Sequence, residues 1–254
     1  MEKEKYLERI KYKETTLPGF ELLKALQQLH LLHIPFENLD IHLGIPIELS
    51  TGKIFDKIVN KKRGGFCYEL NGLFYSLLIS MDFDARVISA RVYNTTEKKY
   101  SPAYDHLAII VSIDKMDYLV DVGFGEFTFS PLKIKPGKIQ EDQRGKFKIV
   151  KHDGDWLQVN KASGNEWIPE YIFTLQGRQF SEFEAMCQYH QTSPQSHFTK
   201  NKICSILTNN GNGRISITNN RLKITNGEQV KEEAINDAAE FEKYLWKYFE
   251  MKLL

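Results

Sequence analysis

The feature that most limits the folds open to this chain is a change of hydrophobic period near Asp84. Between residues 21 and 32, Leu22, Leu23, Leu26 and Leu29 recur every three to four positions until Pro35 ends the run, as an amphipathic helix requires. A second helical run follows Arg63-Gly64-Gly65-Phe66, with Leu70, Leu73, Phe74, Leu77 and Leu78 on one face. Beyond Asp84 the period drops to two, and β-branched runs at 85–93, 106–113 and 117–124 predict strands. Asp153-Gly154 separates 147–150 from 156–159, and Asn219-Asn220 separates 214–218 from 221–225, so two hairpins are expected there. Across 229–253, Val230, Ala234, Ala238, Phe241, Leu245 and Tyr248 return to helical spacing and predict a closing helix. Helices, then strands, then a helix point to an α+β fold and not to alternating βαβ units.

Charge narrows the function classes. The 254 residues carry 34 Lys and Arg against 33 Asp and Glu, a formal net charge of +1. That balance excludes nucleic-acid binding by bulk charge and gives no reason to expect an acidic membrane surface as partner. With 42% apolar and 26% charged residues there is material for a sizeable core. The longest apolar stretch, 73–81, is interrupted by Ser76 and Ser80 and is too short to span a bilayer. Cys67, Cys187 and Cys204 form no C-x-x-C pair, which fits neither a disulfide scaffold nor a zinc site and suggests reduced thiols in the cytosol. Met1-Glu2-Lys3-Glu4-Lys5 has charges of both signs and no apolar stretch behind it, unlike a secretory signal, so a cytoplasmic location is expected.

Cys67 is the residue most suggestive of chemistry. It sits at the expected start of a helix, where unpaired N–H groups and the helix dipole favour a thiolate, and Gly64-Gly65 before it permit close approach by a backbone or ligand. The plain alternative is a small buried hydrophobe, the reading adopted for Cys187 and Cys204. A thiolate doing acyl chemistry needs a base, and the base an orienting carboxylate. His106 opens one expected strand and Asp121 lies in the next, beyond a turn near Asp114–Met116. If Ile113 pairs with Met116 or Tyr118, the two side chains share a sheet face, and a one-residue slip separates them. Asp121 also interrupts an apolar run, where a carboxylate needs a partner. His30, His33 and Glu37 form no H-E-x-x-H pattern and are read as a packed or solvated helix end, with no metal expected. His42, His152, His190 and His197 show no partner pattern. Gly123-Phe124-Gly125 is read as a strand-end turn.

Arg63-Gly64-Gly65-Phe66-Cys67-Tyr68-Glu69-Leu70-Asn71-Gly72, with Ile34-Pro35-Phe36-Glu37-Asn38-Leu39 before it and His106-Leu107 and Asp121-Val122-Gly123-Phe124-Gly125 after it, resembles the arylamine N-acetyltransferases. The likeness runs from Tyr6 to Phe198. It implies a papain-like or transglutaminase-like cysteine core in three parts: a helical domain at 1–83 carrying the nucleophile, a β-barrel-like domain at 84–190 carrying His106 and Asp121, and an α/β lid at 191–254. It further implies that Cys67 takes an acetyl group from acetyl-CoA as a thioester, that His106 handles the proton, that Asp121 orients His106, and that a primary arylamine or hydrazine then attacks in a ping-pong cycle. Acetyl-CoA would be the co-substrate. A cysteine hydrolase or transglutaminase-like acyl transferase using the same triad, or a small-molecule-binding pseudoenzyme, are the alternatives. The chain departs from the family at Glu126, where a glycine is usual, and a carboxylate there should repel a pyrophosphate. Phe36, Phe124 and Phe127 flank the triad segments and could wall a flat aryl substrate. Arg63 is expected to grip Glu37 through a two-pronged, buried ion pair that pins the loop aiming Cys67.

Overall fold

Both early helices form, as Phe20–His33 and Cys67–Ser80. The computed structural model describes residues 2–14, 17–208 and 211–253. Leu70, Leu73, Phe74, Leu77 and Leu78 are fully buried and pack with Tyr6, Leu23 and Leu26 on one side and with Ile109, Val111 and Val120 of a sheet on the other.

Among the described residues that sheet has nine strands. Eight lie side by side in the order Leu132–Lys133, Met116–Val120, His106–Ile113, Asp84–Asn94, Glu166–Phe173, Leu157–Ser163, Gly145–Lys151 and Ile139–Asp142. Lys99–Tyr100 pairs with Asp84–Asn94 outside that path. Each pairing along the path is antiparallel. The sheet curls until its two ends nearly meet. There the Gln140 side chain donates to Lys133 O at 2.9 Å and accepts from Lys133 N–H at 2.8 Å, standing in for a backbone ladder. The strand His106–Ile113 is buried on both faces: Ile109 and Val111 meet the helices, while Ala108 and Ile110 fill the barrel with Phe147, Ile149, Val159 and Phe173. Burial on both faces accounts for its near-continuous apolar run.

Two expected elements differ. The strand expected at 117–124 ends at Val120, because Asn71 Oδ1 accepts the Val122 N–H at 2.9 Å and Asp121 Oδ1 accepts the Gly123 N–H at 2.9 Å, drawing both out of the ladder. The helix expected across 229–253 divides into a strand, Gln229–Ala234, and a helix, Ala238–Phe249, whose N-cap Asp237 accepts the Glu240 N–H at 2.8 Å. Among the described residues that strand is the last of a five-stranded sheet in the order Phe36–Glu37, Ile203–Thr208, Gly213–Thr218, Arg221–Asn226, Gln229–Ala234. The expected two-residue turn at Asn219-Asn220 joins Thr218 to Arg221, and the Asp153-Gly154 hairpin closes at Lys151 and Leu157. Cys204, Ile217, Leu222, Phe241, Leu245 and Phe249 form the core between this sheet and the last helix. No described helix is long and apolar enough to cross a membrane.

Candidate active site

Phe36–Glu37 ties the chain's early helices to the five-stranded sheet and also fixes the approach to Cys67. The Glu37 N–H donates to Gly65 O at 2.9 Å and the Gly65 N–H to Pro35 O at 3.3 Å. A Cβ on Gly64 would lie 2.1 Å from Pro35 O, and one on Gly65 would lie 2.7 Å from Glu69 Cβ. Gly64 therefore serves a backbone approach, and Gly65 makes room for the Glu69 side chain. Cys67 follows as the first residue of its helix, 3% exposed, and Glu69 Oε2 accepts the Phe66 N–H at 3.1 Å to cap that helix. Burial pushes the Cys67 thiol up, and Asp105 and then Asp121 push it further, against a hydrogen bond with the Leu107 backbone. Desolvation outweighs the helix terminus here, so the sulfur needs a base to shed its proton.

The expected base, His106, is placed by the hairpin. Ile113 pairs with Met116 across Asp114-Lys115, both at positive φ (49° and 62°), and the ladder runs on to Ile109 opposite Val120. This is the tighter of the two registers expected, and it sets His106 and Asp121 on one face. His106 Nε2 lies 2.7 Å from Asp121 Oδ2, both side chains being 3% exposed or less. An ionised carboxylate can only accept, so the proton of this bond sits on Nε2 and Nδ1 is left as the basic nitrogen.

Asp121 has three further partners. Oδ1 accepts from Asn71 Nδ2 at 2.9 Å and from the Gly123 N–H at 2.9 Å, and Oδ2 accepts from Tyr171 Oη at 3.1 Å. Burial and the neighbouring Asp121 hold the Tyr171 phenol well above its ordinary range, so it remains a donor. Asn71 also donates to Leu107 O at 2.7 Å. Neither Asn71 nor Tyr171 was among the expected site residues. The available signal was spacing: Asn71 is four residues past Cys67, on the same helix face, within an apolar run. Gly123 completes the junction, since a Cβ there would lie 2.8 Å from both Cys67 Cα and Asn71 Nδ2.

Arg63 is buried and reaches Glu37, but the two-pronged grip is shared. Nε donates to Glu37 Oε1 at 3.0 Å, while Nη2 lies 2.8 Å from Glu37 Oε1 and from Asp40 Oδ1. Lys57 Nζ joins beneath, 2.8 Å from Asp40 Oδ2 and 2.9 Å from Glu69 Oε1. Three carboxylates thus face two cations. Burial, with Glu37 adding to it, pushes Glu69 up to about 7 despite Lys57.

The aromatic residues divide. Phe124 stacks edge-on to His106 at 5.2 Å and, with Phe36 and Leu31, lines a narrow cleft bounded by Gly123, Gly125, Ser205 and Arg214. Phe127 is 2% exposed and packs behind Phe124 against Phe147 and Tyr171. Glu126 does not stand as a lone negative charge. Burial would raise its carboxyl, yet Arg214, Arg144 and Lys161 outweigh burial and hold it below the usual range. With three cations around one carboxylate, the repulsion expected from Glu126 alone is reversed in sign locally. His30 Nδ1 bonds Tyr6 Oη at 2.7 Å and His33 Nδ1 bonds Leu29 O at 2.9 Å, so the two rings serve separate partners. Cys187 and Cys204 are buried free thiols. His190, which shows no partner pattern in the sequence, lies 3.2 Å from Asp105.

A family model described as N-acetyltransferase matches residues 19–254. Arylamine N-acetyltransferase 2 of Mus musculus is 36% identical, with 83% of this chain and 79% of that protein aligned. Arylamine N-acetyltransferase 1 of Homo sapiens is 33% identical over 100% of this chain and 95% of that protein. The structure of the arylamine N-acetyltransferase of M. smegmatis superposes with a TM-score of 0.91 at 30% identity, covering 100% of this chain and 93% of that one. The Mycobacterium marinum arylamine N-acetyltransferase in complex with CoA superposes at 0.88 and 28% identity, covering 98% and 92%.

Proposed function

The chain belongs to the arylamine N-acetyltransferase family, and from that premise we propose that Cys67, His106 and Asp121 are the triad through which it works. The activity is transfer of an acetyl group from acetyl-CoA to an arylamine. In the reading proposed, His106 Nδ1 takes the Cys67 proton as the sulfur attacks the thioester carbonyl. The tetrahedral intermediate collapses, the C–S bond to CoA breaks, and His106 returns the proton to the departing CoA thiolate. The acetyl group is now on Cys67. The amine nitrogen, of an arylamine or a hydrazine, attacks that thioester, His106 accepts the nitrogen's proton, and the Cys67 sulfur leaves and regains it. Asp121, tied on both oxygens, holds His106 in the tautomer that presents Nδ1 and stabilises the imidazolium formed at each step.

The observation that carries this reading is the 2.7 Å contact between His106 Nε2 and Asp121 Oδ2, linked by Asn71 and Gly123 to the helix that begins at Cys67. Phe36 and Phe124 are assigned to the walls of the acceptor site, with Phe127 supporting Phe124 from behind. The three-part division at 83/84 and 190/191 and a cytoplasmic location belong to the same reading; three buried free cysteines suit a reducing compartment.

Intact mass after mixing with acetyl-CoA tests the nucleophile. The wild type should gain one acetyl group and lose it when an arylamine is added, while Cys67→Ser should stay at its starting mass. Equal gain by the variant would move the nucleophile elsewhere.

A further inference from the structure

His106 is the first residue of its strand, and the turn that leads into it is strained. Tyr104 has φ 64°, a left-handed backbone that is costly for a bulky side chain and persists only where its surroundings over-determine it. Three groups hold it there. Ser89 Oγ, on the adjacent strand, accepts the Tyr104 N–H at 2.8 Å. Tyr68 Oη shares its one proton between Tyr104 O at 2.8 Å and Asp105 O at 3.0 Å. On the outside, Tyr104 Oη donates to Glu182 Oε1 at 2.8 Å.

Tyr68 is the residue after Cys67 and is fully buried, its ring fixed by Phe66, edge-on at 5.1 Å, and by Phe183 at 5.8 Å. Burial raises the phenol, which therefore remains a donor. One turn further along the same helix, Asn71 donates to Leu107 O at 2.7 Å. The start of the helix that carries Cys67 thus grips the chain on both sides of His106, at Tyr104 and Asp105 through Tyr68 and at Leu107 through Asn71. The acyl-transfer steps make no use of the Tyr68 hydroxyl.

We propose that Tyr68 is a positioning residue: its hydroxyl holds the Tyr104 turn in its strained form and so sets the start of the His106 strand, and with it the imidazole, against the helix end that carries Cys67. It touches neither substrate nor the reacting atoms. The inference rests on His106 serving Cys67 as proposed above, and its test is a reaction that needs no acetyl transfer.

Alkylation of Cys67 by iodoacetamide at neutral pH, followed by intact mass and peptide mapping, calls on a base beside the sulfur and on no acetyl donor. Tyr68→Phe keeps the ring between Phe66 and Phe183 and removes only the hydroxyl. It should slow alkylation about three- to tenfold, as a slight misplacement of the base would. His106→Ala should slow it further, and adding Tyr68→Phe to His106→Ala should change nothing more, because the hydroxyl acts only through the imidazole. Equal slowing by Tyr68→Phe in both backgrounds would make the hydroxyl a plain support of the helix and overturn the proposal, as would an unchanged rate in the folded single variant. If Tyr68→Phe loses its near-ultraviolet circular dichroism, Ser89→Ala decides. It frees the Tyr104 N–H of the same turn and should slow alkylation with His106 present and not without it; any other pattern sinks the idea. A wild type that shows this pattern yet transfers no acetyl group would count against the acetyltransferase reading alone, whereas normal acetylation of Cys67 with no coupling between positions 68 and 106 would count against Tyr68 alone.

Discussion

Arg63 Nε donates to Glu37 Oε1 at 3.0 Å inside a cluster where the Arg63 and Glu37 side chains are 6% and 0% exposed. The same Glu37 accepts the Leu39 N–H at 2.7 Å through Oε2, and its own N–H pairs with Gly65. One guanidinium therefore joins the segment after Pro35 to the loop that delivers Cys67. Arg63→Ala should cost about 3–5 kcal/mol, because it leaves Glu37 and Asp40 buried with Lys57 alone to answer them. Arg63→Lys should recover little, since an ammonium cannot reach along both directions that Nε and Nη2 serve. Urea denaturation of the two variants measures this, and a Lys variant as stable as wild type would show that only the charge counts.

Asp121 makes four hydrogen bonds, so its partners should differ in worth. Asp121→Asn removes the charge that steadies His106 and should slow Cys67 acetylation by roughly a thousandfold or more. Tyr171→Phe removes one neutral donor and should cost about tenfold. Asn71→Ala breaks ties to Asp121, Leu107 and Val122 together, and should both slow acetylation and lower stability by about 1–3 kcal/mol. Single-turnover acetylation monitored by mass, with thermal melts alongside, separates the three. A Tyr171→Phe defect as deep as that of Asp121→Asn would give the phenol a larger part than orienting the carboxylate.

The proposed triad is legible in the sequence because each member announces itself locally: Cys67 by its helix start after two glycines, His106 and Asp121 by the parity of one short hairpin. Tyr171 has no such signal and Asn71 only its spacing from Cys67, since both side chains lie 50 residues from Asp121 in the chain and meet it only in the fold. Register also explains why the C-terminus differs from the expected helix. Val230 and Ala234 are spaced by four, which suits a helix turn and a strand face equally, and Asn226-Gly227, a turn-forming pair with Gly227 at φ 57°, marks the strand pairing instead.

Two glycines of the loop after Asp121 should respond oppositely to a methyl group. A Cβ on Gly123 would sit 2.8 Å from Cys67 Cα and 3.1 Å from Cys67 O, and backbone cannot yield as a side-chain end can, so Gly123→Ala should displace Cys67. A Cβ on Gly125 meets nothing within 4 Å. Acetylation should therefore fall by about a hundredfold or more in the first variant and stay within about twofold of wild type in the second. Full activity in Gly123→Ala would mean that the loop can move away from Cys67 without consequence.

His30 is fully buried, accepts the Tyr6 hydroxyl on Nδ1, and is driven down to about 3 by burial and, secondarily, by Arg9. In the unfolded chain it titrates near about 6.5. Between those values the unfolded state binds the extra proton, so this residue contributes nothing above about pH 6.5 and destabilises the fold by about 1.4 kcal/mol for each unit that pH falls below it. Glu69, raised to about 7, acts in the reverse sense, its stabilising contribution declining as pH rises through that value, but it is common to wild type and variant and drops out of their difference. His30→Leu should be less stable than wild type at pH 7, having stranded the Tyr6 hydroxyl, and yet lose stability more slowly on acidification. Unfolding free energies from urea titrations at pH 7, 6 and 5 should show the gap between the two proteins closing by about 1.4 kcal/mol per unit below pH 6.5. A gap that stays constant across that range would mean that His30 takes up a proton within the fold, against the burial and the Tyr6 bond that keep it neutral.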